Sequence, residues 1–121
     1  MRTDYDRAVP FDFDGLSIRE LTPRSLQSAS IATIDVPPGA RHRTARSSSS
    51  EKLYVCLEGP LSFVVRDREI ELGTLDVLHI PMNEWFSYYN ESGNPARLLL
   101  IHVPPFDLDS EEFLEIQDNG T

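Results

Sequence analysis

Apolar side chains recur at alternate positions along most of this chain, in short runs closed by Gly, Pro or Asn. That period of two places one row of side chains on each face of a strand, so the pattern predicts strands rather than helices. The segment Gly15–Thr22 alternates loosely through Leu16 and Ile18 and reads as an edge strand. Gln27–Val36 alternates small or polar with apolar residues and stops at Pro37-Pro38-Gly39, whose prolines cannot continue a ladder. Lys52–Leu57 is rich in β-formers, and Glu58-Gly59-Pro60 separates it from Leu61–Arg66, which predicts a hairpin. The same pattern continues through Arg68–Leu72, Leu75–Ile80, Trp85–Tyr89 and Arg97–Val103. Short strands at this spacing predict an all-β sandwich or closed barrel. Only the stretch after Pro104-Pro105-Phe106 offers a helical turn, with Asp109 or Ser110 as its cap, followed by a frayed end.

Composition narrows this picture. The chain of 121 residues has the size of one compact domain. Its 40% hydrophobic and 26% charged residues are ordinary for a soluble globular protein, and no apolar run reaches the ~20 residues that span a bilayer. The acidic start, MRTDYDRAVPFDFDG, lacks the basic-then-apolar order of a secretory signal, so a cytoplasmic location is expected. A net charge of -9 argues against nucleic acid and anionic membranes as partners. Cys56, the only cysteine, excludes an internal disulfide and a thiolate zinc cluster, and its apolar setting predicts a buried thiol. No Gly-rich phosphate loop or nucleophile elbow is present.

Two stretches, PPGARHRTARSSSSEKLYVCLEG at 37–59 and LDVLHIPMNEWFSYYN at 75–90, resemble the paired motifs of the cupin family. The resemblance covers nearly the whole chain and implies a double-stranded β-helix, or jelly-roll barrel. It implies one domain over 1–121, with an N-terminal arm at 1–14, a barrel at 15–106 and a tail at 107–121. Pro81 and Asn90 fit the second motif, but Phe86 stands where the family has a His. Counting back from Gly59 without gaps puts Lys52 at the family's Glu and Ala45 and Ser47 at its two other His. A metal site of three His and one Glu cannot form from Ala, Ser, Lys and Phe. The expectation is therefore no metal cofactor. An insertion would instead let His42 and Glu51 serve as ligands, and His79 and His102, each in phase with apolar neighbours, extend that alternative to a divalent transition metal on His42, His79 and His102.

Strand alternation supplies the candidate site. If Ala45 and Ser47 point inward, a regular strand also turns Arg41 and Arg43 inward, and Lys52, Tyr54 and Cys56 share the facing wall. With Phe86 and Tyr88, these residues outline a basic, aromatic pocket suited to an anion on an apolar or sugar-like body. The competing reading sends Arg41 and Arg43 out of the barrel mouth into surface ion pairs. The leading expectation is a small-molecule-binding cupin without the usual metal, its ligand a small carboxylate, phosphate or nucleotide-sugar. The alternative is a cupin enzyme. It is either a metal-free isomerase, epimerase or lyase using His79, Tyr54 or Lys52 as acid and base, or a metal enzyme with relocated His ligands. Apolar outer faces on KLYVCL and ARLLLIHV predict a homodimer through the barrel sheets.

Overall fold

The computed structural model describes residues 1–114, which fold into two antiparallel sheets facing each other. The strands are β1 (Phe11–Phe13), β2 (Leu16–Glu20), β3 (Ser30–Val36), β4 (Arg41–Ser47), β5 (Glu51–Glu58), β6 (Leu61–Val65), β7 (Arg68–Leu72), β8 (Val77–Ile80), β9 (Phe86–Tyr89), β10 (Ala96–Val103) and β11 (Glu111–Phe113). One sheet runs β1-β2-β3-β10-β5-β8, and the other β11-β4-β9-β6-β7. This is the jelly-roll arrangement that the sequence predicts.

Alternation explains which side chains fill the interior. Along β5, Lys52, Tyr54 and Cys56 are buried, while their neighbours face outward. Along β10 the buried row is Ala96, Leu98, Leu100 and His102. The five-stranded sheet answers with Ala45, Phe63, Val65, Phe86 and Tyr88. Across the gap, the Tyr54 ring lies 5.1 Å from Phe63 and 5.7 Å from Phe86. Cys56 is a buried free thiol, as expected from its surroundings.

Three local expectations are corrected. Lys52–Leu57 and Leu61–Arg66 do not form a hairpin, because β5 and β6 lie in opposite sheets and Glu58-Gly59-Pro60 arches between them. A Cβ at Gly59 would stand 2.9 Å from the Leu72 carbonyl oxygen and 3.0 Å from Cys56 Sγ, so this arch has room only for glycine. The hairpin is instead β6–β7, turned by Arg66 and Asp67 at φ 52 and 59. Gly15–Thr22 is not an edge strand, since β1 pairs along the outside of β2.

The third correction concerns both ends. Residues 1–14 include a sheet strand, and residues 107–114 carry a 3-10 turn at Leu108–Ser110 and then β11, paired with β4. Asp107, rather than Asp109 or Ser110, caps that turn by accepting from the Asp109 N–H. The expected fraying falls on residues 115–121, outside the described ones.

Asn90, 1% exposed, holds the connection between the sheets. Its amide donates to the carbonyls of Val36 and Asn94, and its oxygen accepts from the Ser92 N–H and hydroxyl. Replacement by Ala strands those buried groups. Asn90→Ala is expected to lower unfolding free energy by roughly 2–4 kcal/mol, read from urea midpoints.

Candidate functional site

β4 carries one residue more than its partner allows. His42 pairs with Tyr88 and Ala45 with Phe86, so three steps on β4 span two on β9. This β-bulge reverses the inward row partway along the strand. Ala45 and Ser47 face inward at one end, as the alternation predicts, but at the other it is His42 that turns in.

Arg41 and Arg43 are therefore not interior residues, which corrects the expected basic pocket. Arg41 is exposed, its guanidinium 5.9 Å from the Tyr89 ring centroid. Arg43 donates through Nε to Asp14 at 2.8 Å and lies over the Phe13 and Phe113 rings. Both cations belong to the rim and the outer face.

The sheets enclose a cavity of about 430 Å³, open toward β1 and the segment leading into β11. Its polar lining includes His42, Lys52, Tyr54, His102 and Glu111, set among Phe13, Ile34, Leu100 and Phe113. Phe86 and Tyr88 lie behind this lining, against the inserted His42 ring at 5.4 and 5.0 Å between centroids. The volume falls within the range of sites for metabolite-sized ligands.

Lys52 is the centre of the polar wall. Its Nζ lies 2.8 Å from His102 Nε2 and 2.5 Å from Glu111 Oε1. The Lys52 and Glu111 side chains are only 4% and 6% exposed, so this is a buried ion pair. Burial lowers the lysine's pKa, and Glu111 opposes that shift. Glu111 Oε2 is buried without a hydrogen-bond partner among the described residues.

The two imidazoles are neutral at pH 7. Burial lowers the His42 pKa to about 4, partly opposed by its bond to the Arg43 carbonyl, with Lys52 and Arg43 lowering it further and Asp14 raising it. Burial, then the nearby Lys52 charge, lowers His102 to about 3. The Arg43 carbonyl oxygen, 2.6 Å from His42 Nδ1, can only accept, so Nδ1 carries the proton. The lone pair of His42 is left on Nε2. His102 has the same tautomer, because its Nε2 accepts from the Lys52 ammonium and the ring proton is left on Nδ1.

His79 does not join this group. It is exposed on β8, with Nε2 2.7 Å from Glu51 on the outer face of the sheet. The relocated set His42, His79 and His102 therefore does not converge, and Glu51 cannot share a metal with His42. No group of three or more His, Cys, Asp or Glu side chains among the described residues is placed to hold a metal. The gapless ligand positions do not fit one either, because inward Ala45, Ser47 and Phe86 offer no strong donor and Lys52 is an ammonium in an ion pair.

A family model described as "Cupin domain" matches residues 32–102. The chain belongs to the cupin family. The uncharacterized protein MJ1618 of Methanocaldococcus jannaschii is 28% identical over 119 residues, 95% of each chain. Among solved structures, this cupin resembles Pac13 of Streptomyces, a unique nucleoside dehydratase, with a TM-score of 0.83 at 16% identity over 99% of this chain and 95% of that one. Pac13 has been solved with uridine in one His-to-Gln and two Tyr-to-Phe variants. The polyketide cyclase RemF of Streptomyces resistomycificus matches with a TM-score of 0.80 at 16% identity, over 98% and 88% of the two chains.

Of the expected ligand residues, Lys52 and Tyr54 line the cavity, and Phe86 and Tyr88 form its backing. Sequence reasoning missed Glu111, Phe13 and Phe113. The alternation of Glu111 and Phe113 was a strand signal in a segment read as a tail.

Lys52→Met is expected to cost roughly 3–5 kcal/mol, because it leaves the Glu111 carboxylate buried and unpaired. Lys52→Met combined with Glu111→Leu should recover most of that loss. A double-mutant cycle in urea measures the recovery, and additive losses would mean the two charges are not coupled.

Proposed function

We propose that this cupin is a metal-independent acid–base enzyme, a lyase or isomerase acting on a neutral, hydroxyl-bearing small molecule. The observation that carries this reading is the exposed chemistry of one cavity: a neutral His42 with its lone pair on Nε2, and a Lys52 cation on the facing sheet. A neutral imidazole accepts a proton from carbon or oxygen, and a nearby ammonium stabilises the negative charge that develops. His102 and Glu111 hold that ammonium in place.

The ligand is read as neutral because no cation in the cavity is left unpaired, Glu111 offsetting Lys52 and the exposed Glu20 adding a further carboxylate. With Arg41 and Arg43 outside, Lys52 is the one cationic side chain among the cavity-lining residues, and Glu111 already offsets it. A phosphate or carboxylate would enter without an unpaired cation to receive it. Phe13 and Phe113 favour a flat or apolar portion of the ligand. That Pac13 is a dehydratase and RemF a cyclase agrees with proton-transfer chemistry in such a barrel, and uridine fits the neutral, hydroxylated class. A carrier that binds the same molecules without converting them is the other outcome.

Hydroxyaldehydes and hydroxyketones incubated in D₂O with chelator-treated protein test the proposal. Proton NMR should show exchange beside the carbonyl, lowered by roughly 10²-fold or more in His42→Gln. His42 is a base only when unprotonated, so kcat/KM should hold as pH falls and decline toward about 4. Binding without exchange, or exchange indifferent to His42, would reject the enzyme reading.

The outer row Leu53, Val55, Leu99 and Ile101 on β5 and β10 is half-buried, and we read it as the homodimer face. Sedimentation should give a dimer that Val55→Glu converts to monomer.

A further inference from the structure

Lys52 is the only lysine in a chain that otherwise carries its positive charge on arginine. That one lysine is also the one placed inside the cavity. An ion pair alone does not call for this choice, because arginine offers more hydrogen bonds to a carboxylate and keeps its charge when buried. What a lysine can do, and an arginine cannot at ordinary pH, is release a proton and present a nucleophilic amine.

We propose that Lys52 condenses with an aldehyde or ketone carbonyl of the ligand to form an iminium, so the substrate class is a hydroxyaldehyde or hydroxyketone. This rests on the acid–base reading above and deepens it. The ammonium first passes a proton to His102 Nε2 or Glu111, both already within hydrogen-bond distance of Nζ. The freed lone pair forms the C–N bond, and the carbonyl oxygen becomes the carbinolamine hydroxyl. That hydroxyl leaves as water with the returned proton, and the iminium keeps one N–H and the positive charge. No electrons are gained or lost, and no co-reactant is needed.

The iminium is an electron sink beside the reacting carbon. It acidifies the neighbouring C–H, which His42 on the opposite sheet removes, and a hydroxyl one carbon further on then departs as water with the proton that His42 returns; water hydrolyses the conjugated iminium, which restores the carbonyl and frees the Lys52 amine. Desolvation lowers the lysine's pKa and favours the amine, as in other imine-forming lysines. Glu111 pulls the other way until the carbonyl arrives and takes over the nitrogen.

The chain makes the test simple, because its primary amines are the Lys52 side chain and the Met1 α-amine. The native protein is treated at pH 7 with acetaldehyde and sodium cyanoborohydride, and peptide mass mapping follows ethylation at both amines. A urea-unfolded sample is run in parallel. The expected result is faster ethylation of Lys52 in the native protein than in the unfolded chain, with Met1 similar in both. Lys52 ethylated equally or more slowly when folded, while Met1 reacts normally, would overturn the proposal and mark the lysine as a structural ion pair.

His42→Gln separates the two readings. Trapping at Lys52 should persist in that variant while proton exchange is lost. Exchange that depends on His42 with no enhanced trapping leaves the acid–base reading standing without the iminium. Enhanced trapping with no exchange does the reverse.

Discussion

Lys52 and Glu111 are both withdrawn from water, and either alone would be an uncompensated charge inside the barrel. Their pairing joins β5, in the six-stranded sheet, to β11, at the edge of the five-stranded one. The same contact holds the short C-terminal strand over the cavity and sets the direction of the His102 ring. It also leaves the cavity without an unpaired cation. The two sheets and one wall of the cavity are thus tied together by one ion pair between residues 59 positions apart in sequence.

The aromatic residues have a related role on the other side of the cavity. Phe86 and Tyr88 stack against His42 and keep it neutral by excluding water. Phe13 and Phe113, from opposite ends of the described chain, meet at 5.6 Å, and the Arg43 guanidinium lies over both rings at the rim. Asp14 completes that latch. The two chain ends therefore build the mouth of the site, which explains why a barrel counted only over 15–106 would lack part of its wall.

The residues at the family's ligand positions do not fit a metal, because the substitutions replace the donor set as a whole. Ala45, Ser47 and Phe86 fill the inward positions with small or apolar groups. Lys52 at the Glu position inverts the charge of that wall, and Glu111 supplies the carboxylate from a different strand.

Sequence alone determined the central strands, the resemblance to the family and the inward row of β5, but not β1 or β11, because alternation with a period of two is a local property that turn residues punctuate and three-residue strands are too short to display it. It also showed that Ala45, Ser47, Lys52 and Phe86 break the metal motif. Which face His42 and Arg43 occupy was decided only by tertiary structure, since one extra residue in β4 reverses the alternation and the pairing with β9 locates it. The partnership of Lys52 with Glu111 was hidden for the same kind of reason. It joins two strands distant in sequence, and only the closing of one sheet over the other brings their side chains within bonding distance.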